Sequence, residues 1–132
     1  TYGPNDPRKK LFYLLRNAQE TEEVLKMTPG EQLLDLVYID DVMDAFLNAE
    51  VKVLSTDSPQ NRKYQVTAGK YYSIREIVKI YQELSHQKIN VEFGGRPYRE
   101  REIMVPWCQG EKLPGWEPKI GIIEGISRMI GA

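Results

Sequence analysis

Residues 30–49, GEQLLDLVYIDDVMDAFLNA, carry the feature that most constrains this chain. A β-prone run of Leu36, Val37, Tyr38 and Ile39 is stopped by two aspartates and continued by apolar residues at helical spacing. A strand is expected to become a helix there. Asp40 or Asp41 would serve as N-cap, its carboxylate accepting hydrogen bonds from the free N–H groups of the first turn. The helix would bury Val42, Ala45, Phe46 and Ala49, with Met43 and Leu47 widening the apolar face. Such a handover points to the α/β class.

The flanking sequence extends this reading. Residues 7–18 place Leu11, Phe12, Leu14, Leu15 and Ala18 near one face of a three-turn helix. Its first turn holds Arg8, Lys9 and Lys10, the wrong sign for a helix N-terminus, which suggests an anion nearby. Val24, Leu25 and Met27 read as an edge strand that bends at Pro29 and Gly30. A loop at 55–62 precedes a short strand at 64–67. Ser73 and Glu76 form a capping-box signature, after which Ile74, Ile77, Val78, Tyr81 and Leu84 share a face. Ile89, Val91 and Phe93 alternate as a strand does. The Pro-, Gly- and Trp-rich stretch from Gly94 to Pro118 suits an irregular loop, and residues 119–130 a last helix.

Composition narrows the function. The chain has 132 residues, one soluble domain's worth, and its 18 basic and 19 acidic side chains leave a formal charge of −1. That balance argues against nucleic acid as a main ligand. No apolar run approaches the ~18 residues of a membrane span. The single Cys108 excludes an internal disulfide, and with the single His86 it leaves no Cys/His metal cluster. A cytosolic, metal-free protein is the expectation. The chain opens on Thr1 and a turn-like TYGPND with no leading strand or helix, so its start reads as cut.

Among candidate chemistries, Arg96, Arg99 and Arg101 lie in one loop with Tyr98 and Trp107. Arginine's planar fork suits phosphate oxygens, so this loop fits a diphosphate clamp. The same spacing also fits a solvated loop in which Glu100 and Glu102 neutralise the arginines. Asp40 and Asp41 could be taken for an acid/base pair, but both sit where a helix must begin, and capping is the stronger reading. His86 lies just past a helix end, and Cys108 has no companion histidine in a recognisable motif, so neither is given a catalytic role. Tyr38, Tyr71 and Tyr72 lack a lysine four residues on. No GxGxxG follows a strand, so no dinucleotide phosphate loop is encoded.

Four blocks in order carry a resemblance: TYGPND, DLVYIDDVMDAFLNA, YQVTAGKYYSIREIVKIYQEL and LPGWEPKIGIIEGISRMI. Together they resemble the C-terminal half of extended short-chain dehydrogenase/reductases, the NAD(P)-dependent nucleotide-sugar epimerases, dehydratases and reductases. PYREREIM, PW and LPGWEP look most like the CDP-abequose/CDP-paratose synthase branch, which reduces a 4-keto deoxysugar nucleotide. The resemblance implies an α/β fold, the C-terminal fragment of an extended Rossmann-type enzyme with its small substrate-binding α/β subdomain. Residues 1–132 would be its mainly substrate-binding portion, the dinucleotide-binding half lying upstream.

It also implies site residues. Tyr2, Gly3 and Pro4 resemble the turn beside the nicotinamide end of NAD or NADP. Lys10 and Leu11 resemble a Lys-Leu pair near the sugar and diphosphate of a nucleotide-diphosphate sugar. Arg99, with Arg101 second, resembles the arginine given to the diphosphate. Many members carry another arginine just before the strand aspartate; here Leu34 precedes Asp35, so half of that clamp is missing. The catalytic Tyr-x-x-x-Lys pair would lie upstream, and the chain alone should be inactive. An alternative of another class is a non-catalytic nucleotide- or protein-binding member of the same fold. The family often dimerises through helices of the other half, which makes a homodimer the expectation for the full-length protein, in the cytoplasm and in polysaccharide biosynthesis.

Overall fold

A computed structural model describes residues 1–55, 57 and 61–131. In chain order the elements are α1 (Leu11–Thr21), β1 (Leu25–Met27), β2 (Leu33–Asp35), α2 (Ile39–Leu54), β3 (Tyr64–Gln65), β4 (Tyr71–Ser73), α3 (Ile74–Ser85), β5 (Val91–Phe93), β6 (Glu111–Lys112) and α4 (Ile122–Ile130). Of the loop expected at 55–62, Thr56, Ser58, Pro59 and Gln60 lie outside the described residues.

Three short ladders join distant parts of the chain. β1 runs parallel to β5 with Leu25 opposite Val91, β2 runs antiparallel to β4 with Leu33 opposite Ser73, and β3 runs parallel to β6 with Tyr64 opposite Glu111. Tyr2 and Tyr38 form an isolated parallel bridge, in which Tyr2 N–H donates to Val37 O at 3.1 Å and Ile39 N–H to Tyr2 O at 2.9 Å. The opening segment is therefore part of the sheet system rather than a free turn. It also pairs the extended 36–39 run, while the neighbouring ladder lies one step earlier, at β2.

The helix after that run begins at Ile39, with Tyr38 as an N-cap that makes no side-chain bond. This corrects the capping expected of Asp40 or Asp41. The Asp41 carboxylate, 2% exposed, instead accepts from Lys119 N–H at 3.1 Å and Ile120 N–H at 2.9 Å, across 78 and 79 residues. A buried carboxylate gains more from two fixed main-chain donors than from a solvated helix end. Asp40 stays exposed and pairs with Arg128 at 3.6 Å.

α1 begins four residues later than expected, because Asp6 takes Arg8 N–H at 3.1 Å and its guanidinium at 2.7 and 2.6 Å, making a side-chain turn where a helical turn was foreseen. α3 begins where the capping box places it: Ser73 N–H donates to Glu76 Oε2 at 2.7 Å, and Glu76 N–H to Ser73 Oγ at 3.2 Å.

The main core joins three helices. Leu15 and Ala18 of α1, Ile77, Val78 and Tyr81 of α3, and Ile122, Ile126 and Met129 of α4 enclose the rings of Tyr2 and Tyr38. A second core unites Val37, Ala45, Leu113 and Trp116. On α2 only part of the expected face is covered. Ala45 is buried, but Phe46 is 67% exposed beside Met43, Leu47, Val51 and Leu54, because no described element packs against that side. The irregular stretch after Gly94 contains one short strand, β6.

Candidate functional site

A cleft of about 420 Å³ opens where the Tyr2 segment, the start of α1 and β2 meet. α1 contributes Leu11, Phe12, Tyr13 and Arg16, preceded by Lys10; β2 and its continuation contribute Leu34, Asp35 and Leu36; Ile74 and Met129 complete the apolar wall. Thr1, Tyr2, Gly3, Asp6 and Arg8 line its remaining side. The cleft thus combines an apolar wall with cations from one helix and its approach, an arrangement suited to an amphipathic anion.

The charged groups in the cleft differ in how firmly they are tied. Arg8 is held at two points by Asp6, and those bonds hold the Asp6 carboxyl down at about 2. Asp35 faces away from further work: its carboxylate accepts from the Thr67 hydroxyl at 2.5 Å and from Ala68 N–H at 2.9 Å, fixing the turn after β3 against β2. Burial pushes the Tyr81 phenol up, and the charge of the nearby Arg16 opposes that rise. Among the described residues neither Lys10 nor Arg16 forms an ion pair with a carboxylate.

The residues singled out in the sequence separate into two groups. Tyr2, Gly3, Lys10 and Leu11 share the cleft with Leu34, while Pro4 lines an adjoining cavity of about 210 Å³ with Thr1, Tyr2, Gly3, Asp6, Arg8 and Ile39. The Tyr2 ring is 3% exposed and belongs to the core; its hydroxyl has no hydrogen-bond partner among the described residues, and burial pushes its pKa up. Gly3 is required by packing, since a Cβ there would lie 2.6 Å from Ile39 Cγ2.

Arg99 and Arg101 are exposed and line neither cavity. Their loop is nevertheless strapped beside β2: Glu31 N–H donates to the Tyr98 hydroxyl at 3.1 Å and Leu33 N–H to Met104 O at 2.8 Å. Neutralisation by neighbouring glutamates does not occur as ion pairs among the described residues. Glu102 accepts from Arg99 N–H at 3.3 Å instead. Cys108 is exposed, and His86 closes α3 in the left-handed region at φ 54°.

Sequence reading expects an anion near Arg8 without naming Arg8 as a site residue, and it missed Arg16 and Asp35 as lining residues. The three-residue spacing of Lys10, Tyr13 and Arg16 was available as a signal for one helical face. The tie from Asp35 to Thr67 and Ala68 spans more than thirty residues and leaves no local pattern.

The NAD dependent epimerase/dehydratase family matches residues 1–66. The chain belongs to that family, and its mixed α/β structure has the fold of NAD-dependent nucleotide-sugar enzymes. The CDP-abequose synthase of Yersinia pseudotuberculosis is 36% identical over 80% of this chain and 36% of its own length. That of Salmonella typhimurium is 28% identical over 98% of this chain and 44% of its own length. The chain therefore spans less than half the length of these curated relatives. Among solved structures, MoeE5 in complex with UDP-glucose and NAD superposes with a TM-score of 0.82 at 19% identity, covering 98% of this chain and 43% of that one. UDP-glucose 4-epimerase of Thermotoga maritima with UDP-glucose gives 0.76 at 20% identity, covering 98% and 42%.

A dinucleotide needs free main-chain N–H groups at a glycine-rich strand-to-helix turn. No such turn lies among the described residues: α3 is closed by its own capping box, and Gly3 is spent on contact with Ile39. The described residues do not form a dinucleotide site by themselves, and no redox step is assigned to them. Among the described residues no group of three or more His, Cys, Asp or Glu side chains is placed to hold a metal, and no helix is long and apolar enough to cross a membrane.

Proposed function

We propose that residues 1–132 are the C-terminal, mainly substrate-binding portion of an NAD(P)-dependent nucleotide-sugar enzyme, and that the enzyme is a CDP-4-keto-deoxysugar reductase acting in the cytoplasm in polysaccharide biosynthesis. The observation that carries this reading is the cleft uniting Lys10, Leu11 and Leu34, in a chain 36% identical to a CDP-abequose synthase. The nucleotide-diphosphate sugar lies in the cleft with its anionic part toward Lys10 and Leu11. Arg99, with Arg101 as the second candidate, reaches the diphosphate from the loop strapped to β2, outside the lining of the cleft. Tyr2, Gly3 and Pro4 border the nicotinamide end of NAD or NADP, whose diphosphate is held by a separate portion of the full-length protein. This portion positions substrate and excludes water, and the proton-transfer residues lie elsewhere. The isolated chain is inactive, and the full-length protein is a homodimer.

A second reading, a non-catalytic nucleotide- or protein-binding member of the family, is favoured by one observation: Leu34 places an alkyl group in the cleft, at the position where the resemblance implies an arginine. Steady conversion of a CDP-4-keto-deoxysugar by the full-length protein with NADPH or NADH is expected and rules out the binder. Absence of turnover across CDP- and UDP-linked 4-keto sugars with both cofactors would remove the reductase assignment.

A further inference from the structure

The irregular loop between β5 and β6 is tied to the rest of the chain at defined points. Arg96 N–H donates to Met27 O at 3.0 Å, which fixes the loop's start to the end of β1. Near its far end Gln65 on β3 donates from Nε2 to Trp107 O at 2.7 Å and accepts from Gly110 N–H at 3.0 Å. Between these ties two main-chain donors hold the loop beside β2: Glu31 N–H donates to the Tyr98 hydroxyl at 3.1 Å, and Leu33 N–H to Met104 O at 2.8 Å. The segment bracketed by those two contacts is itself closed. Glu102 N–H donates to Arg99 O at 3.1 Å and Arg99 N–H to the Glu102 carboxylate at 3.3 Å, so the turn at 99–102 is bonded in both directions. Tyr98 and Glu102, which make these ties, are half-buried. Arg99 and Arg101 are exposed and form no ion pair among the described residues. Leu33 is followed directly by Leu34 in the cleft wall, so the Met104 tie lies one residue, about 3.8 Å along the chain, from the cleft lining.

We propose that Tyr98 and Glu102 are positioning residues for substrate binding, which hold the 99–102 turn in one shape beside β2 and so present the Arg99 guanidinium to the diphosphate. This rests on the reading of the cleft as a nucleotide-sugar site and of Arg99 as an arm that reaches it. An arginine on a slack loop would give up the loop's main-chain freedom on binding as well as its own rotamers, and the ties remove the first of these losses at folding. Glu102 acts through its acceptor oxygen rather than its charge, because its carboxylate is bonded to the Arg99 main chain and not to the guanidinium.

Isothermal titration of the full-length protein with CDP and UDP, and with cytidine and uridine as phosphate-free controls, tests the assignment. Tyr98→Phe is expected to weaken the diphosphate that the wild type binds by about fivefold, the worth of one hydrogen bond between neutral groups, and to leave the nucleoside unchanged. In an Arg99→Ala background the same substitution should change nothing, because the arm it positions is gone; a merely structural role for Tyr98 would show no such dependence on Arg99. Two variants at position 102 separate shape from charge. Glu102→Gln keeps an acceptor and should bind at least as tightly as the wild type, whereas Glu102→Ala removes the same charge and should bind more weakly. Unchanged affinity of Tyr98→Phe, a loss that is equal with and without Arg99, or equal affinity of the two Glu102 variants overturns the positioning role while leaving Arg99 in the site. Equal affinity of wild type and Arg99→Ala overturns the role of Arg99 and this proposal with it. A wild type that binds neither diphosphate overturns the reading of the cleft.

Discussion

Gly125 is fixed by its neighbour rather than by its own helix. A Cβ on this α4 residue would run into the Tyr2 hydroxyl and come within 2.9 Å of Tyr38 Cδ2. The Tyr2 hydroxyl also has no hydrogen-bond partner among the described residues, although its ring packs edge-on to Tyr38 at 5.4 Å and against Phe12 at 5.2 Å. A buried hydroxyl without a partner carries a desolvation cost that a phenyl ring lacks. Tyr2→Phe is therefore expected to leave stability unchanged or to raise it. Gly125→Ala should cost about 1–3 kcal/mol as overpacking, and less in the Tyr2→Phe background, where the nearest clashing atom is gone. Chemical denaturation of the four variants measures the coupling; additive effects would show that the hydroxyl is not what excludes the methyl. None of this was legible in the sequence, where Tyr2 reads as a turn residue beside a cofactor and Gly125 as an unremarked glycine inside a helix. The constraint joins residues 123 positions apart, whereas periodicity reports only on near neighbours.

Elements whose signals are local came through, and those with distant partners did not. α3 is capped at Ser73 as expected because both halves of its cap lie within four residues. Ser73→Ala should destabilise by about 1 kcal/mol, the usual cost of losing such a cap. The same cap gives a pH dependence with a definite sign. Ser73 main-chain and side-chain hydrogen bonds hold the Glu76 carboxyl below its ordinary value of 4.5. Its contribution is present above that value and is lost as pH falls through the lowered folded value. An acid titration of thermal stability should show the wild type losing more than Ser73→Ala over that window, and parallel curves would refute the linkage. α2 misled at its start because two adjacent aspartates look alike to a capping rule. One is exposed and pairs with Arg128, and the other is buried under the approach to α4. Asp41→Ala strands the Lys119 and Ile120 N–H donors and is expected to cost about 2–4 kcal/mol, more than a helix cap is worth. Hydrogen exchange should speed at Lys119 and Ile120 before it speeds within α2; uniform protection loss along α2 would restore the capping role.

On the scale of the whole molecule, the chain buries one continuous core among α1, α3 and α4 but leaves the outer side of α2 bare. Met43, Phe46, Leu47, Val51 and Leu54 recur at helical spacing, with Phe46 67% and Leu54 79% exposed. The 3.6-residue period showed correctly that this helix has an apolar face. It overstated what these 132 residues can bury, since the width of a face says nothing about what stands opposite it. A stripe of that length is larger than scattered surface hydrophobics and favours association in water. The short ladders add open strand edges to the same liability. The 132-residue chain alone is therefore expected to self-associate at micromolar concentration. Replacing Phe46 and Leu47 by Glu and Lys should move its sedimentation profile toward monomer with little change in helical circular dichroism, because neither side chain contributes to either core. If the double variant sediments as the wild type does, the stripe is not the adhesive surface, and the strand edges of the three ladders become the place to look.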